Sequence, residues 1–228
     1  RQDFTANVSH ELKTPLTSIS GYAELIETGI AKPADVPEFG RKIHVEASRM
    51  IQLVNDILQL SHLDSVSETH AQPDMETVDL LDVAKDCVER QKLNAQRSFI
   101  SLTYLGESAR VLGNRDQLDE LCQNLCDNAI RYNRPGGKVQ LITSCTRDGH
   151  CTLTVKDNGI GIPKDAQSSV FERFYRVDKS RSKATGGTGL GLAIVKHIAL
   201  LHSAQLKLES RENEGTTITV LFPVQSKK

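Results

Sequence analysis

Residues 138–163 read KVQLITSC, then TRDGH, then CTLTVKD, then NGIGIP. Two runs of alternating, β-branched-rich residues at 138–145 and 151–157 flank the turn RDGH, which predicts a β-hairpin. The second run ends on Asp157 and opens into a loop where Gly159 and Gly161 let the backbone approach a ligand closely. The same grammar extends outward. Strand-like runs at 100–104 (ISLTY), 205–210 (QLKLES) and 216–222 (TTITVLF) alternate with helical runs at 79–96, 115–131 and 189–202, and RENEG joins the last two strands as a second hairpin. Strands alternating with helices in this order predict an α+β domain, with helices stacked on one sheet. No internal repeat is evident.

Upstream the period changes. Phe4, Val8, Leu12, Leu16, Ile19, Ala23 and Ile26 recur at helical spacing, which predicts one helix over residues 2–28 with Gly29 as its C-cap. Pro15 removes a backbone donor inside that pattern and is expected to kink the helix. Prolines and an Asp between Lys32 and Pro37 mark a loop. A second helix follows over about 37–64, where Ile43, Ala47, Met50, Val54, Ile57 and Ser61 alternate at spacings of four and three, the pattern of a bundle seam. Leu53, Leu58 and Leu60 widen its apolar face, and two helices cannot bury that much surface alone. A dimer forming a four-helix bundle is the expected solution. The polar run from Ser61 to Asp74, with SETHAQPD at its centre, reads as a hinge. The expected organisation is a helical hairpin at 1–66, a linker at 67–74 and an α+β domain at 75–225.

Composition narrows the class. Charged residues at 25% and hydrophobic residues at 38% are ordinary for a globular chain, which argues against wholesale disorder. With 28 basic and 29 acidic residues the net charge is −1, so no electrostatic footprint for nucleic acid is present and no direct nucleic-acid partner is expected. The five cysteines are Cys87, Cys122, Cys126, Cys145 and Cys151, an odd count without a C-x-x-C pair. That pattern predicts neither a disulfide framework nor a zinc site, and suits a cytosolic chain. Cys122 and Cys126, four apart in a helical run, read as reduced packing residues. No run of 18 apolar residues exists, and the chain begins within a helical pattern without Met, which reads as a fragment whose upstream part is absent.

Four constellations carry chemistry. His10 stands in S-H-E-L-K-T-P and falls away from the apolar stripe of its helix, so it is expected to be accessible. Neutral imidazole is a competent nucleophile, and Glu11 beside it can orient the ring and take its proton. In N-L-C-D-N-A at 124–129, Asn124 and Asn128 lie one helical turn apart, and amide oxygens are hard neutral ligands suited to Mg²⁺. Asp157 at a strand end can accept a hydrogen bond from the exocyclic amine of adenine. In T-G-G-T-G-L-G-L at 185–192 the glycines open a strongly helical run, exposing backbone N–H groups to an anion. No G-K-[ST] follows, so this is not a Walker A loop. Between the last two lies F-E-R-F-Y-R-V-D at 171–178, where Phe171 and Phe174 can clamp a mobile segment. Arg173, Arg176, Lys179 and Arg181 lie within or just after it and are candidates to meet a γ-phosphate, although for Lys179 and Arg181 a solvated charged loop is the preferred reading.

In order, H-E-x-x-T-P, N-x-x-x-N, D-x-G-x-G, F-x-x-F and G-x-G-x-G resemble the H, N, G1, F and G2 boxes of sensor histidine kinases, and the resemblance covers essentially the whole chain. It implies a dimerisation and histidine-phosphotransfer hairpin followed by an ATP-binding domain of the Bergerat fold, an α/β sandwich with a mixed sheet and helices on one face. The same fold is shared by gyrase B, Hsp90 and MutL. Position by position, the resemblance makes His10 the phospho-acceptor, Glu11 its acid/base partner and Thr14 the residue that positions water for dephosphorylating a regulator. It makes Asn128 the Mg²⁺ ligand with Asn124 near the phosphates, Asp157 the adenine-reading carboxylate and Tyr132 a residue lining the base. Gly187, Thr188, Gly189, Leu190 and Gly191 fall in the loop that closes over the phosphates, within a lid at about 176–190, and Arg176 is placed for the γ-phosphate. Two departures stand out. Arg131 replaces the commoner Lys of the N box, exchanging a point charge for a planar fork. The segment before that box reads G-N-R-D rather than G-D.

The resemblance therefore implies a homodimeric autokinase that uses MgATP to phosphorylate His10 and passes the phosphoryl group to an aspartate of a response-regulator receiver domain, with regulator phosphatase activity besides. It implies a cytoplasmic location for this stretch and a parent protein anchored at the inner face of the cell membrane. One rival is an ATP hydrolase of the gyrase B, Hsp90 and MutL kind, which leaves His10 idle. Another is a scaffold or phosphatase without kinase activity, which leaves the asparagines and the glycine loop idle.

Overall fold

The computed structural model of the chain describes residues 2–69, 74–177 and 187–224. The N-terminal unit is a hairpin of α1 (Gln2–Glu27) and α2 (Val36–Thr69). Tyr22 stacks on Phe39 with ring centroids 5.3 Å apart near the turn, and Glu11 meets Arg49 farther along, so the two helices run antiparallel. Gly29, with φ +69°, adopts the left-handed conformation that ends α1, as expected of a C-cap glycine. Helical structure continues unbroken across Pro15, whose ring is buried.

α2 corrects one expectation. The polar run from Ser61 was expected to form a hinge, but the helix continues through it to Thr69. The cause is packing. Leu53, Asp56, Leu60 and Leu63 make a buried stripe at helical spacing that faces the second unit, while Asn55, Ser61 and His62 are exposed. Of the expected linker, residues 67–69 are helical, and residues 70–73 lie outside the described residues. Leu53 and Leu60, beside the expected seam, are buried against the second unit, while Val54 and Ser61 of that seam are exposed on the single chain.

The second unit follows as β1 (Glu76–Asp79), α3 (Leu80–Arg97), β2 (Ser101–Gly106), β3 (Arg110–Gly113), α4 (Arg115–Arg131), β4 (Lys138–Cys145), β5 (Cys151–Asp157), α5 (Gly191–Leu201), β6 (Gln205–Arg211) and β7 (Gly215–Phe222). The main sheet has five strands in the order β2-β4-β5-β7-β6; β2 is parallel to β4 and every other pair is antiparallel. The mixed sheet and both predicted hairpins are present. β1 and β3 form a separate two-stranded ribbon that the sequence reading did not anticipate.

Alternation sets the two faces of the sheet. Val139, Leu141, Leu153, Val155, Ile218 and Val220 point inward and are buried against α3, α4 and α5. Thr154 and Thr219 hydrogen-bond each other at 3.1 Å on the outer face. Caps fix the helix starts: Asp79 accepts from the Leu81 amide, and Asn114 from the Gln117 amide.

The cysteines divide. Cys87, Cys122 and Cys126 are free and buried, as expected of packing residues. Cys145 and Cys151 form a disulfide, against the expectation of none, because the antiparallel register of β4 and β5 places them directly opposite each other. Among the described residues, no helix is long and apolar enough to cross a membrane.

Candidate functional site

A cavity of about 1110 Å³ opens between α4, the ends of β5 and β7, the glycine loop before α5, and one face of α2. α4 aims its polar stripe into it. Asn124 and Asn128 stand one turn apart on the wall, and Asn124 donates its amide N–H to the Glu120 carbonyl at 3.1 Å, which leaves its Oδ1 available as a ligand. A side chain at Gly191 would meet that Oδ1 and the Asn128 amide, so the glycine keeps the start of α5 tight against the two asparagines. Neutral oxygens beside a helix start suit a hard cation carrying phosphate.

Asp157 ends β5 at the floor of the cavity. It accepts from the Gly159 amide at 2.8 Å and from the Thr216 amide at 3.3 Å, both at Oδ1, which leaves Oδ2 for a ligand donor. Burial raises its carboxyl above the ordinary value, and those two amides pull it back down. The loop after it is pinned by the Ile160 amide, which donates to the Tyr132 carbonyl at 3.0 Å. Gly161 has φ +69°, and a Cβ there would overlap the Arg211 carbonyl oxygen. Tyr132 caps α4 and lines the cavity.

The basic groups come from two directions. Arg131 is held by Asp127 at 2.7 Å and lies against Gly187. Arg176 lines the same wall with its side chain 6% exposed; Nη1 stands 3.8 Å from Glu11, and Nη2 is buried with no hydrogen-bond partner among the described residues. A buried, half-satisfied guanidinium is an anion site. Phe174 sits nearby in a left-handed conformation, φ +64°, donating its amide to the Gly189 carbonyl at 2.9 Å and packing on Phe4 of α1 at 5.6 Å.

Of the residues singled out from sequence, Asn124, Asn128, Arg131, Tyr132, Asp157, Gly161, Arg176, Gly187, Thr188, Gly189 and Gly191 meet at this one cavity. Gly159 and Leu190 are buried behind it and shape the backbone. His10, Glu11 and Thr14 lie on α1 outside it: His10 is exposed, while Glu11 is half-buried between Arg49, at 3.6 Å, and Arg176. Residues 178–186 of the expected lid, with Lys179, Arg181 and Gly186, lie outside the described residues.

Three further residues belong to the site. Gln52 and Asp56 reach the cavity from α2, and Glu120 from α4. Burial and the neighbouring charge of Asp56 push the Glu120 carboxyl up to about 7. Asp56 is itself raised by burial, although hydrogen bonds from Thr188 and Gln52 oppose the shift. Glu120 carried a sequence signal, being one turn before Asn124 on the same face; Asp56 carried only a polar interruption of an apolar stripe.

The arrangement matches two family models: the His Kinase A (phospho-acceptor) domain over residues 1–66, and the histidine kinase-, DNA gyrase B-, and HSP90-like ATPase over residues 113–226. The sensor-like histidine kinase SenX3 of Mycolicibacterium smegmatis is 42% identical over 98% of this chain and 57% of its own length. The sensor protein kinase WalK of Staphylococcus saprophyticus is 38% identical over 99% of this chain and 37% of its own. The chain thus spans about half or less of the length of these curated relatives. The solved complex of histidine kinase ThkA with response regulator protein TrrA shares the fold, with a TM-score of 0.74 at 22% identity over 97% of this chain and 61% of that one. With these two family models over residues 1–66 and 113–226, and relatives of this closeness over nearly its whole length, the chain belongs to the sensor histidine kinase family.

Proposed function

We propose that the chain is the catalytic part of an ATP-dependent protein-histidine autokinase that phosphorylates His10. The observation that carries this reading is the placement of Arg176, one guanidinium that lines the cavity and also faces Glu11, the residue beside His10. ATP would lie with its adenine amine on Asp157 and its phosphates along Asn124, Asn128, Arg131 and the loop at Gly187, Thr188 and Gly189. The donor set fits Mg²⁺ at Asn128, with Asn124 beside it, and bound Mg²⁺ would neutralise charge on the phosphates. The ring nitrogen of His10 attacks the γ-phosphorus, the bond to the bridging oxygen of ADP breaks, and Glu11 takes the ring proton. Arg176 holds the transferring group, so positioning and charge neutralisation supply most of the rate.

The phosphohistidine then passes its phosphoryl group to an aspartate of a response regulator, and Thr14 orients water for the reverse task of regulator dephosphorylation. Residues 1–66 serve as the dimerisation and phosphotransfer hairpin, and residues 75–225 as the ATP-binding domain, which moves relative to the hairpin to bring the γ-phosphate to His10. Homodimerisation is supported by Leu16 on α1 and by Ile51, Val54 and Leu58 on α2, large apolar side chains that one chain leaves exposed. The parent protein is placed at the inner face of the cell membrane through a region outside this chain.

The test is incubation with [γ-³²P]ATP and Mg²⁺, wild type beside His10→Gln. Acid-labile, alkali-stable label on wild type only is the expected result. ATP turnover retained in His10→Gln, with no phosphoprotein on either chain, would replace this reading with that of an ATP hydrolase.

A further inference from the structure

Asp56 lies on the hairpin, yet its side chain ends inside the ATP-binding unit. It is 6% exposed, and both of its hydrogen-bond partners are neutral: Gln52 donates to Oδ1 at 2.7 Å, and the Thr188 hydroxyl donates to Oδ2 at 2.6 Å. Among the described residues no cation hydrogen-bonds to it, although the Arg131 charge favours its ionised form from farther away, and a buried carboxylate of this kind is retained only where it is held in place. Here it is held by Thr188 of the glycine loop, the proposed phosphate site.

Thr188 is the informative partner. Its hydroxyl has one proton to give. It accepts the Leu190 amide at 3.3 Å at the start of α5 and gives its proton to Asp56. Thr188 stands between Gly187 and Gly189 on the cavity wall, where a phosphate oxygen would take that proton. Asp56 and Glu120 line the same cavity, so two carboxyl groups face the space a triphosphate would enter. Carboxylate and phosphate oxygens are chemically alike as acceptors, and each excludes the other from a single O–H.

We infer that Asp56 stands in for a phosphate oxygen: while the hairpin is docked, it occupies the Thr188 hydroxyl and lowers the affinity of the cavity for nucleotide. Docking of Asp56 on the glycine loop and entry of the triphosphate are then coupled and opposed, and by linkage nucleotide weakens docking by the same factor. Asp56 is a positioning residue acting through Thr188, not a group that meets the substrate. The inference rests on the cavity being the nucleotide site.

Calorimetric titration of the two-domain chain with a non-hydrolysable ATP analogue and Mg²⁺ tests it. Asp56→Ala should bind about tenfold more tightly than wild type, the worth of one charge-assisted hydrogen bond. Asp56→Asn keeps the shape and an acceptor without the charge, and should fall between the two. Damage to the fold would weaken binding, so a gain in affinity separates this role from a structural one, and Asp56→Asn decides if the alanine variant melts by circular dichroism. Equal or weaker binding by the folded variants, against a wild type that binds, overturns the role of Asp56 alone. Absence of saturable binding in wild type and variants alike removes the nucleotide site, and this inference with it.

Discussion

Glu120 shows how far one residue's environment can be read as a measurable quantity. Its carboxyl is raised from an ordinary 4.5 to about 7, first by burial and then by the charge of Asp56. A raised carboxyl favours the folded state while protonated. The stability it contributes is full below pH 4.5 and is lost as pH rises from there through about 7. Glu120→Gln, a neutral isostere, should match wild type in urea at pH 4.5 and exceed it at pH 8 by about 1–2 kcal/mol, after discounting for partial solvent screening. A gap that does not widen with pH would mean that Glu120 ionises freely in the fold. The same residue marks the limit of the sequence. His10, Asn128 and Asp157 were legible because each sits in a short motif with its own chemistry: histidine beside a carboxylate, two amides one turn apart, an acid before glycines. Glu120 lay one turn upstream of that motif, on the face it shares with Asn124. Asp56 joins the cavity wall only because tertiary packing places it against Thr188, 132 residues away.

At the scale of elements, periodicity found both hairpins of the main sheet, and α4 at its observed bounds of 115–131, because long alternating or helical runs leave few other readings. It missed β1 and β3, four residues each, which exist only as partners of one another. It ended α2 early, since a polar run looks like a linker until Leu60 and Leu63 are known to be buried. It also missed the Cys145–Cys151 link, although both cysteines flank the predicted RDGH turn, because register and not spacing brings them face to face. Closing a loop with a sequence separation of 6 is worth about 2 kcal/mol by chain entropy, and less here because β4 and β5 already pair. Cys151 and Asp157 stand at opposite ends of β5, roughly 20 Å apart at strand rise. Dithiothreitol should therefore lower the unfolding free energy measured in urea by at most that amount and leave nucleotide affinity unchanged. Nucleotide affinity that falls on reduction would show that the β5 end at Asp157 senses the link.

For the whole molecule, besides the Asp56–Thr188 hydrogen bond, the hairpin meets the ATP-binding unit through an ion pair and through apolar burial, and magnitudes decide between those two. Arg173 pairs with Asp64 at 2.7 Å and lies over the Phe4 ring at 5.2 Å, but both charged side chains are 36% exposed. Pairs of that exposure are worth about 0–1 kcal/mol and are screened by salt. Leu63, 2% exposed, belongs to the apolar core continuous with α5, and its carbonyl meets the His197 ring at 3.1 Å. Truncating such a residue to alanine costs about 2–5 kcal/mol. Apolar burial therefore dominates docking, and the ion pair sets orientation within it. By small-angle X-ray scattering, Leu63→Ala should increase the radius of gyration of the two-domain chain, whereas Asp64→Asn, or wild type in 0.5 M NaCl, should stay close to the compact value. Hydrogen exchange along α2 from Leu53 to Leu63 should accelerate in the same order. If Asp64→Asn or salt opens the chain as far as Leu63→Ala does, the charges at Asp64 and Arg173 carry the interface, and the balance between hydrophobic and electrostatic docking is reversed.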